Sequence, residues 1–130
     1  MKAFNVRLIE EFRTHNGELS GQMAGRQLLL LTTTGRRSGA ERTVVVGYRP
    51  YKENLAIIAS NNGAPKPPAW FFNLEADPEA TVELGPEKFR VRTRVAGPDE
   101  RAGAAKLIEY LEQQQARAER EIPVVILEKI

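Results

Sequence analysis

The sequence predicts an α+β fold: a mostly antiparallel sheet of about six strands, able to close as a barrel, with flanking helices. Three observations carry this. Short apolar and β-branched runs recur along the chain, among them LLLLTTT, TVVV, LAIIAS and IPVVIL. Most neighbouring runs are joined by a few turn residues, which suits antiparallel pairing. Helical periodicity is confined to a few segments, so the order reads α-β-β-β-α-β-β-α-β. The 130 residues, 42% hydrophobic and 28% charged, fit one domain spanning residues 1–130.

The first helix runs from Lys2 to His15. Phe4, Leu8 and Phe12 fall on one face, with Ile9 beside them, and Asn16-Gly17 stops the helix. His15 at its C-terminus suits the helix dipole. Glu18 to Arg26 reads as a loop able to fold over a site.

The central stretch is Leu28 to Val46, LLLLTTTGRRSGAERTVVV. Leu28–Thr34 and Arg42–Tyr48 are of strand type, joined by a tight connection from Gly35 to Gly39. The two glycines are expected to supply positive φ values, and Gly35, Ser38 and Gly39 to leave their amides uncrowded. Arg36, Arg37 and Arg42 add charge, and Thr32, Thr33, Thr34 and Thr43 add hydroxyls. Amides, hydroxyls and guanidiniums in one turn suit an anionic group, above all a phosphate. A hairpin with a solvated basic tip is the plainer alternative. No helix follows the loop, so it is neither a Walker loop nor a dinucleotide-binding fingerprint.

Pro50 to Asn54 reads as a turn and Leu55 to Ser60 as a buried strand. Asn61 to Leu74, NNGAPKPPAWFFNL, is unusual. Its prolines exclude regular structure up to Pro68, and Ala69 to Ala76 forms a short helix ended by Asp77-Pro78. Trp70 is the only tryptophan; a core anchor and a ligand-stacking ring are equally open. Lys66, between prolines, is an exposed loop lysine or a second anion contact.

Ala80–Leu84 and Lys88–Ala96 read as a hairpin through Gly85-Pro86. Arg90, Arg92 and Arg94 alternate with Phe89, Val91, Thr93 and Val95, the pattern of a half-buried strand. Glu83, Glu87 and neighbouring acids can answer that arginine row, so a solvated face is expected. A helix starts at Pro98-Asp99-Glu100, with Ala104, Ile108, Leu111 and Gln115 on its inner face. Ile122–Leu127 is the last strand, with Pro123 near its start.

Composition excludes several chemistries. Cysteine is absent, so there are no disulfides or thiolate metal sites, and a single histidine, His15, leaves no His-rich zinc site or Ser–His–Asp triad. No metal is expected. No apolar run approaches the ~20 residues of a membrane span, and the N-terminus is not of signal-peptide type. A cytoplasmic address follows as an expectation. The net charge is +2. Three arginines and one glutamate lie between Thr32 and Thr43, which leaves sixteen charges of each sign elsewhere. The positive excess sits on the anion-type loop, whereas a nucleic-acid binder more usually shows a broader basic face; the overall charge balance does not decide between the two.

The stretches LLLLTTTGRRSGAERT, IASNNGAPKPPAWFFNLEADPEATVEL and REIPVVIL together resemble the deazaflavin-dependent nitroreductase family, from about Phe4 to Leu127. That resemblance implies a split β-barrel oxidoreductase using coenzyme F420 in its reduced form. It implies that Arg36, Arg37, Ser38, Gly39 and Arg42 hold the phosphate and polyglutamate tail. Thr43 and Val44 begin the strand along the cofactor's side chain. Ala59, Ser60 and Asn61 lie against the ring and ribityl chain, and Pro67, Pro68, Trp70 and Asn73 close the pocket, with Lys66 nearby. Ser60 and Tyr110 are the catalytic candidates, one polarising a carbonyl or binding the ring, the other donating a proton. The chain departs from the pattern at Asn61, where some members carry lysine, and in LIEYLEQQQARAER, where Tyr110 stands alone. A more open substrate pocket is the consequence.

The function implied is hydride transfer from reduced F420 to an activated double bond, a quinone-like or a nitro-type small molecule. A non-catalytic or FMN-type cofactor-binding split barrel is the alternative. The expected partner is a small-molecule substrate, without nucleic acid or integral membrane contact, and a homodimer is compatible with the family.

Overall fold

The computed structural model describes residues 2–130, and the surroundings of all their side chains except those of residues 2–5, Gln22 and Asn62. The expected core contact of Phe4 lies outside the described side chains. The elements are α1 (Lys2–Thr14), β1 (Leu28–Thr34), β2 (Glu41–Gly47), β3 (Arg49–Tyr51), β4 (Asn54–Ile58), α2 (Ala69–Ala76), β5 (Glu79–Leu84), β6 (Glu87–Val95), α3 (Pro98–Ala105), α4 (Leu111–Arg117) and β7 (Val124–Lys129). Short 3-10 turns at Gly21–Met23 and Asn61–Gly63 complete them.

The strands form one antiparallel sheet in the order β2-β1-β5-β6-β7-β4-β3, curled into a half-barrel. The β1–β2 hairpin runs in register from Leu28↔Gly47 to Thr34↔Glu41. Side chains alternate across it. Leu29 and Leu31 join Ile57, Trp70, Phe71, Leu74, Val82, Val91, Val125 and Leu127 inside the curl. Leu30 points the other way and packs with Phe12 and Leu19 under α1. On the outer face of β7, Val124 and Ile126 pack with Ala56, Ile108, Leu111 and Ile122. Both faces of β1 and β7 are covered, which is why these strands read as unbroken apolar runs.

Four expectations are corrected. The turn expected at Pro50–Asn54 is narrower, because Lys52 takes a left-handed conformation (φ 54°) and reverses the chain alone with Glu53. Arg49, Pro50 and Tyr51 stay extended and pair with Ala56, Leu55 and Asn54, adding a seventh, edge strand where proline is tolerated. The last strand begins at Val124 rather than Ile122, since the Ile122 amide is taken by Gln115 Oε1 at 2.9 Å and Pro123 has none to give.

The single helix expected after Pro98 is two. Leu107 and Ile108 both donate to the Ala104 carbonyl, and the chain breaks there. The break lets Glu109 pair with Arg49, whose guanidinium lies 5.0 Å over the Tyr110 ring. Ala104, Ile108 and Leu111 keep their common buried face. Finally, of the two loop glycines only Gly39 has positive φ (73°). Gly35 is required instead because a Cβ there would lie 3.0 Å from the Ala40 carbonyl oxygen.

The β6 arginines lie on an ion-paired face. The acids that answer them are neighbouring ones: Arg90 and Arg92 reach Glu79, and Arg94 reaches Glu100 and Glu128, while Glu83 pairs with Arg13. No described helix is long and apolar enough to cross a membrane.

Candidate functional site

The connection between β1 and β2 is closed by its own backbone. Gly35 N–H donates to Ala40 O at 2.7 Å, Gly39 N–H to Gly35 O at 2.9 Å, and Ala40 N–H to Ser38 Oγ at 3.1 Å. The Gly35 and Gly39 amides, expected to be free, are therefore engaged. The Arg36 amide donates to Asn73 Oδ1 at 3.1 Å. The amides left at the tip are those of Arg37 and Ser38, beside two exposed arginines, Arg37 and Arg42, without a hydrogen bond or ion pair among the described residues. Arg36 differs: its guanidinium rests 4.7 Å above the Phe72 ring.

The loop forms one wall of an open groove of about 720 Å³. β2 continues the wall through Glu41, Arg42, Thr43 and Val44. α2 contributes Ala69, Trp70 and Asn73, and α1 contributes Val6 and Ile9. Eight of the expected binding residues, Arg36, Arg37, Ser38, Arg42, Thr43, Val44, Trp70 and Asn73, thus line one space. Gly39 does not line the groove and turns the loop through its positive φ of 73°. Trp70 is 7% exposed and belongs to the core cluster, the core-anchor reading, while part of its surface lines the groove. Asn73, 6% exposed, also donates from Nδ2 to Thr33 Oγ1 at 3.0 Å and so ties α2 to β1. Thr32 and Thr43 hydroxyls meet across the hairpin at 2.7 Å.

Ala59, Ser60, Asn61, Lys66, Pro67 and Pro68 do not line this groove. They form the segment leading from β4 into α2. Ala59 and Ser60 are buried, Asn61 takes a left-handed conformation (φ 49°) and donates from Nδ2 to the Lys66 carbonyl at 3.2 Å. Lys66 is exposed, and Pro68 precedes α2, its carbonyl accepting the Phe71 amide.

Tyr110 lies elsewhere again. It lines a second cavity of about 530 Å³ with Gly25, Gln27, Leu28, Gly47, Arg49 and Gln114. Its hydroxyl and Gln114 Oε1 are buried without a hydrogen-bond partner. The hydroxyl sits against Gly47, where a Cβ would come within 3.1 Å of it. Burial pushes the Tyr110 hydroxyl above its ordinary pKa, against the pull of Arg49, so it is protonated at neutral pH. Both cavities touch β2. Val44 borders the groove and Gly47 the second cavity, about 10 Å apart along the strand.

Sequence reasoning missed Phe72, the α1 residues Val6 and Ile9, and Gln114 and Arg120. Phe72 follows Trp70 in a visible aromatic cluster, so it could have been found. The other four lie on α1, on α4 and on the segment before β7, far from the loop in sequence, and carry no local signal. No group of three or more metal-ligating side chains occurs among the described residues.

The sequence profile of the F420H(2)-dependent quinone reductase family matches residues 6–129. An F420H(2)-dependent quinone reductase of Mycobacterium tuberculosis is 31% identical over 125 residues, covering 89% of this chain and 83% of that protein. A solved F420-H2 dependent reductase, FDR-A, superposes with a TM-score of 0.69 at 32% identity, over 79% of this chain and 95% of its own. A second structure, described as a domain-swapped dimer, superposes with a TM-score of 0.72 at 30% identity, over 95% and 93%.

Proposed function

This chain belongs to the F420H(2)-dependent quinone reductase family, and on that premise we propose that its groove binds the anionic tail of F420 and that it reduces a quinone-like small molecule. It is an F420H2-dependent oxidoreductase of the half-barrel type. The observation that carries the proposal is the convergence of eight expected residues on one groove, with two unpartnered arginines and two free amides at its mouth.

The donor set fits the group. Arg37, Arg42 and the Arg37 and Ser38 amides offer charge-assisted hydrogen bonds to phosphate and carboxylate oxygens. Trp70 and Val44 offer apolar surface along the same wall. Ala59, Ser60 and Asn61 are assigned the ring end, with Pro67 and Pro68 holding the approach to α2 and Lys66 beside the tail. When bound, the reduced cofactor supplies the hydride. The chain's own task is to fix the tail, orient one ring face and bring an acceptor into the space left.

Tyr110 is the proposed proton donor at the acceptor. Its hydroxyl stays protonated and lies in a cavity on the same strand as the groove. Ser60 is assigned contact with the ring. Residues 1–130 act as one domain in this reading, with a cytoplasmic address. A related structure is described as a domain-swapped dimer, so a homodimer is the assembly proposed here, readable by light scattering.

Parallel titrations with F420, FMN and FAD, read by quenching of Trp70 fluorescence, test the cofactor assignment. F420 binds most tightly if the basic loop reads a long anionic tail. FMN binding as tight or tighter overturns it. Oxidation of F420H2 on addition of a soluble quinone, followed by the cofactor's absorbance, tests the substrate class.

A further inference from the structure

Arg120 sits in a charged, irregular segment between α4 and β7. The backbone around it is clamped. Its carbonyl accepts Gln115 Nε2 at 2.7 Å, while Gln115 Oε1 accepts the Ile122 amide at 2.9 Å and Arg101 Nη2 at 2.8 Å. Arg101 also donates twice to the Ile122 carbonyl. From this fixed base the Arg120 guanidinium crosses to the segment after β4. Nη2 donates to the carbonyls of Ser60 at 2.9 Å and Ala59 at 3.2 Å, and Nε donates to Ala64 O at 3.2 Å. Nη1 is buried without a partner.

All three acceptors are neutral carbonyls. Among the described residues no carboxylate ion-pairs with Arg120. Backbone dipoles solvate its charge but do not cancel it. The segment it grips is conformationally unusual, with Asn61 at φ 49° and Gly63 at φ 79°. A Cβ on Gly63 would lie 3.2 Å from Arg117 Cβ, so this backbone is pressed close to α4. A non-glycine residue in the left-handed region persists where its surroundings over-determine it. Arg120 supplies much of that constraint by fixing both ends, Ala59–Ser60 and Ala64.

We propose that Arg120 is a positioning residue for the cofactor's ring: it sets the shape of the Ala59–Ala64 segment and places behind it a positive charge that has no ion-pair partner among the described residues, its sequence neighbours Glu119 and Glu121 included. The proposal rests on the assignment of Ala59, Ser60 and Asn61 to the ring end of the site. A cation in a partly buried setting favours negative charge on its neighbours. A ring seated on this segment is therefore held more firmly as its anion than as its neutral form.

The test is a pair of variants, Arg120→Gln and Arg120→Lys, titrated with F420 and read by Trp70 fluorescence. The pH dependence of the bound cofactor's visible absorbance reports ionisation of the ring's hydroxyl. The glutamine variant is expected to bind about tenfold more weakly, with the ring hydroxyl ionising at higher pH than in the wild type. The lysine variant keeps the charge but loses the fork, so affinity falls several-fold while the ring ionises as in the wild type. A purely structural clamp would leave that ionisation unmoved in both. Wild-type affinity or wild-type ring ionisation in the glutamine variant overturns the proposal. If that variant does not fold, the wild type and the lysine variant are read against free F420: weaker binding by the lysine variant, with the bound ring ionising at lower pH than the free cofactor in both proteins, supports the proposal, and wild-type affinity or a bound ring that ionises no lower than the free one overturns it. Failure of the wild-type chain to bind F420 overturns the cofactor assignment as well, whereas binding with unaffected variants overturns this inference alone.

Discussion

The Asn73 carboxamide joins α2 to the end of β1 and the start of the loop: Oδ1 accepts the Arg36 amide at 3.1 Å and Nδ2 donates to Thr33 Oγ1 at 3.0 Å. Asn73 and Thr33 are buried, so the bond between them does not compete with water, while the bond to the Arg36 amide is part-buried. The basic loop is thereby anchored to the helix that carries Trp70. Asn73→Leu leaves the Arg36 amide and the Thr33 hydroxyl without that partner. A buried polar group so orphaned costs about 1–3 kcal/mol. Urea unfolding should show that loss, and F420 affinity should fall with it because the loop loses its anchor. An unchanged midpoint and affinity would remove Asn73 from the site.

How much of this was legible in the sequence follows from the range of each interaction. The β1–β2 hairpin, the groove's arginines and the stop at Asn16-Gly17 are local, and pattern alone located them. The Leu28–Thr34 boundary agrees to the residue. Asn73 and Trp70 were singled out, but the bond from Asn73 to the Arg36 amide spans 37 residues and has no local trace. The same holds for Arg120, which looks like one more charge in ARAERE until its guanidinium is seen to grip carbonyls 56 to 61 residues away. The split between α3 and α4 was hidden for a similar reason. The apolar spacing of Ala104, Ile108 and Leu111 is satisfied by the broken path as well as by a continuous helix, and the Arg49–Glu109 pair that accompanies the break spans 60 residues.

Trp70 has two roles that separate on substitution. Trp70→Ala removes a large buried ring from the core cluster and should cost roughly 3–5 kcal/mol. Trp70→Phe keeps most of the packing and should lose well under half of that. If the ring also contacts the cofactor, Trp70→Phe weakens F420 binding beyond what its change in melting temperature explains. Isothermal calorimetry reads this without the tryptophan signal. Unchanged stability and affinity in the alanine variant would deny Trp70 both roles.

The α1 wall of the groove is held by a fork between Arg13 and Glu83, with Nε···Oε1 at 3.0 Å and Nη2···Oε2 at 2.8 Å. That hydrogen-bonded pair is the main reason the Glu83 carboxyl lies below its ordinary value of 4.5. A depressed folded pKa means the tie is fully present above the unfolded value and is lost as pH falls through the folded one. Glu83→Gln should therefore flatten the decline in stability below about pH 4.5. Arg13 is half exposed, so the difference should stay below about 1 kcal/mol. Parallel unfolding curves for wild type and variant over that range would show that the pair contributes nothing.

Arg42 is the residue on which the tail assignment turns. It lies in β2 opposite Thr33, so its backbone is fixed by the ladder, while Arg36 and Arg37 lie on or beside the turn. Arg36 is already stacked on Phe72. Arg42 is exposed, lines the groove and has no ion pair among the described residues. Its removal should change melting temperature little, because no internal contact goes with it. A charge-assisted contact to the tail is worth roughly 1.5–3 kcal/mol, or about one to two decades in dissociation constant. Arg42→Ala should weaken F420 binding about tenfold or more at moderate salt, with a shallower salt dependence than the wild type. The effect should shrink for a truncated cofactor lacking the phosphate and glutamates. Equal weakening for intact and truncated cofactor would mean that Arg42 does not read the tail. Unfolding on substitution would make it a structural residue and return the loop to a solvated basic hairpin tip.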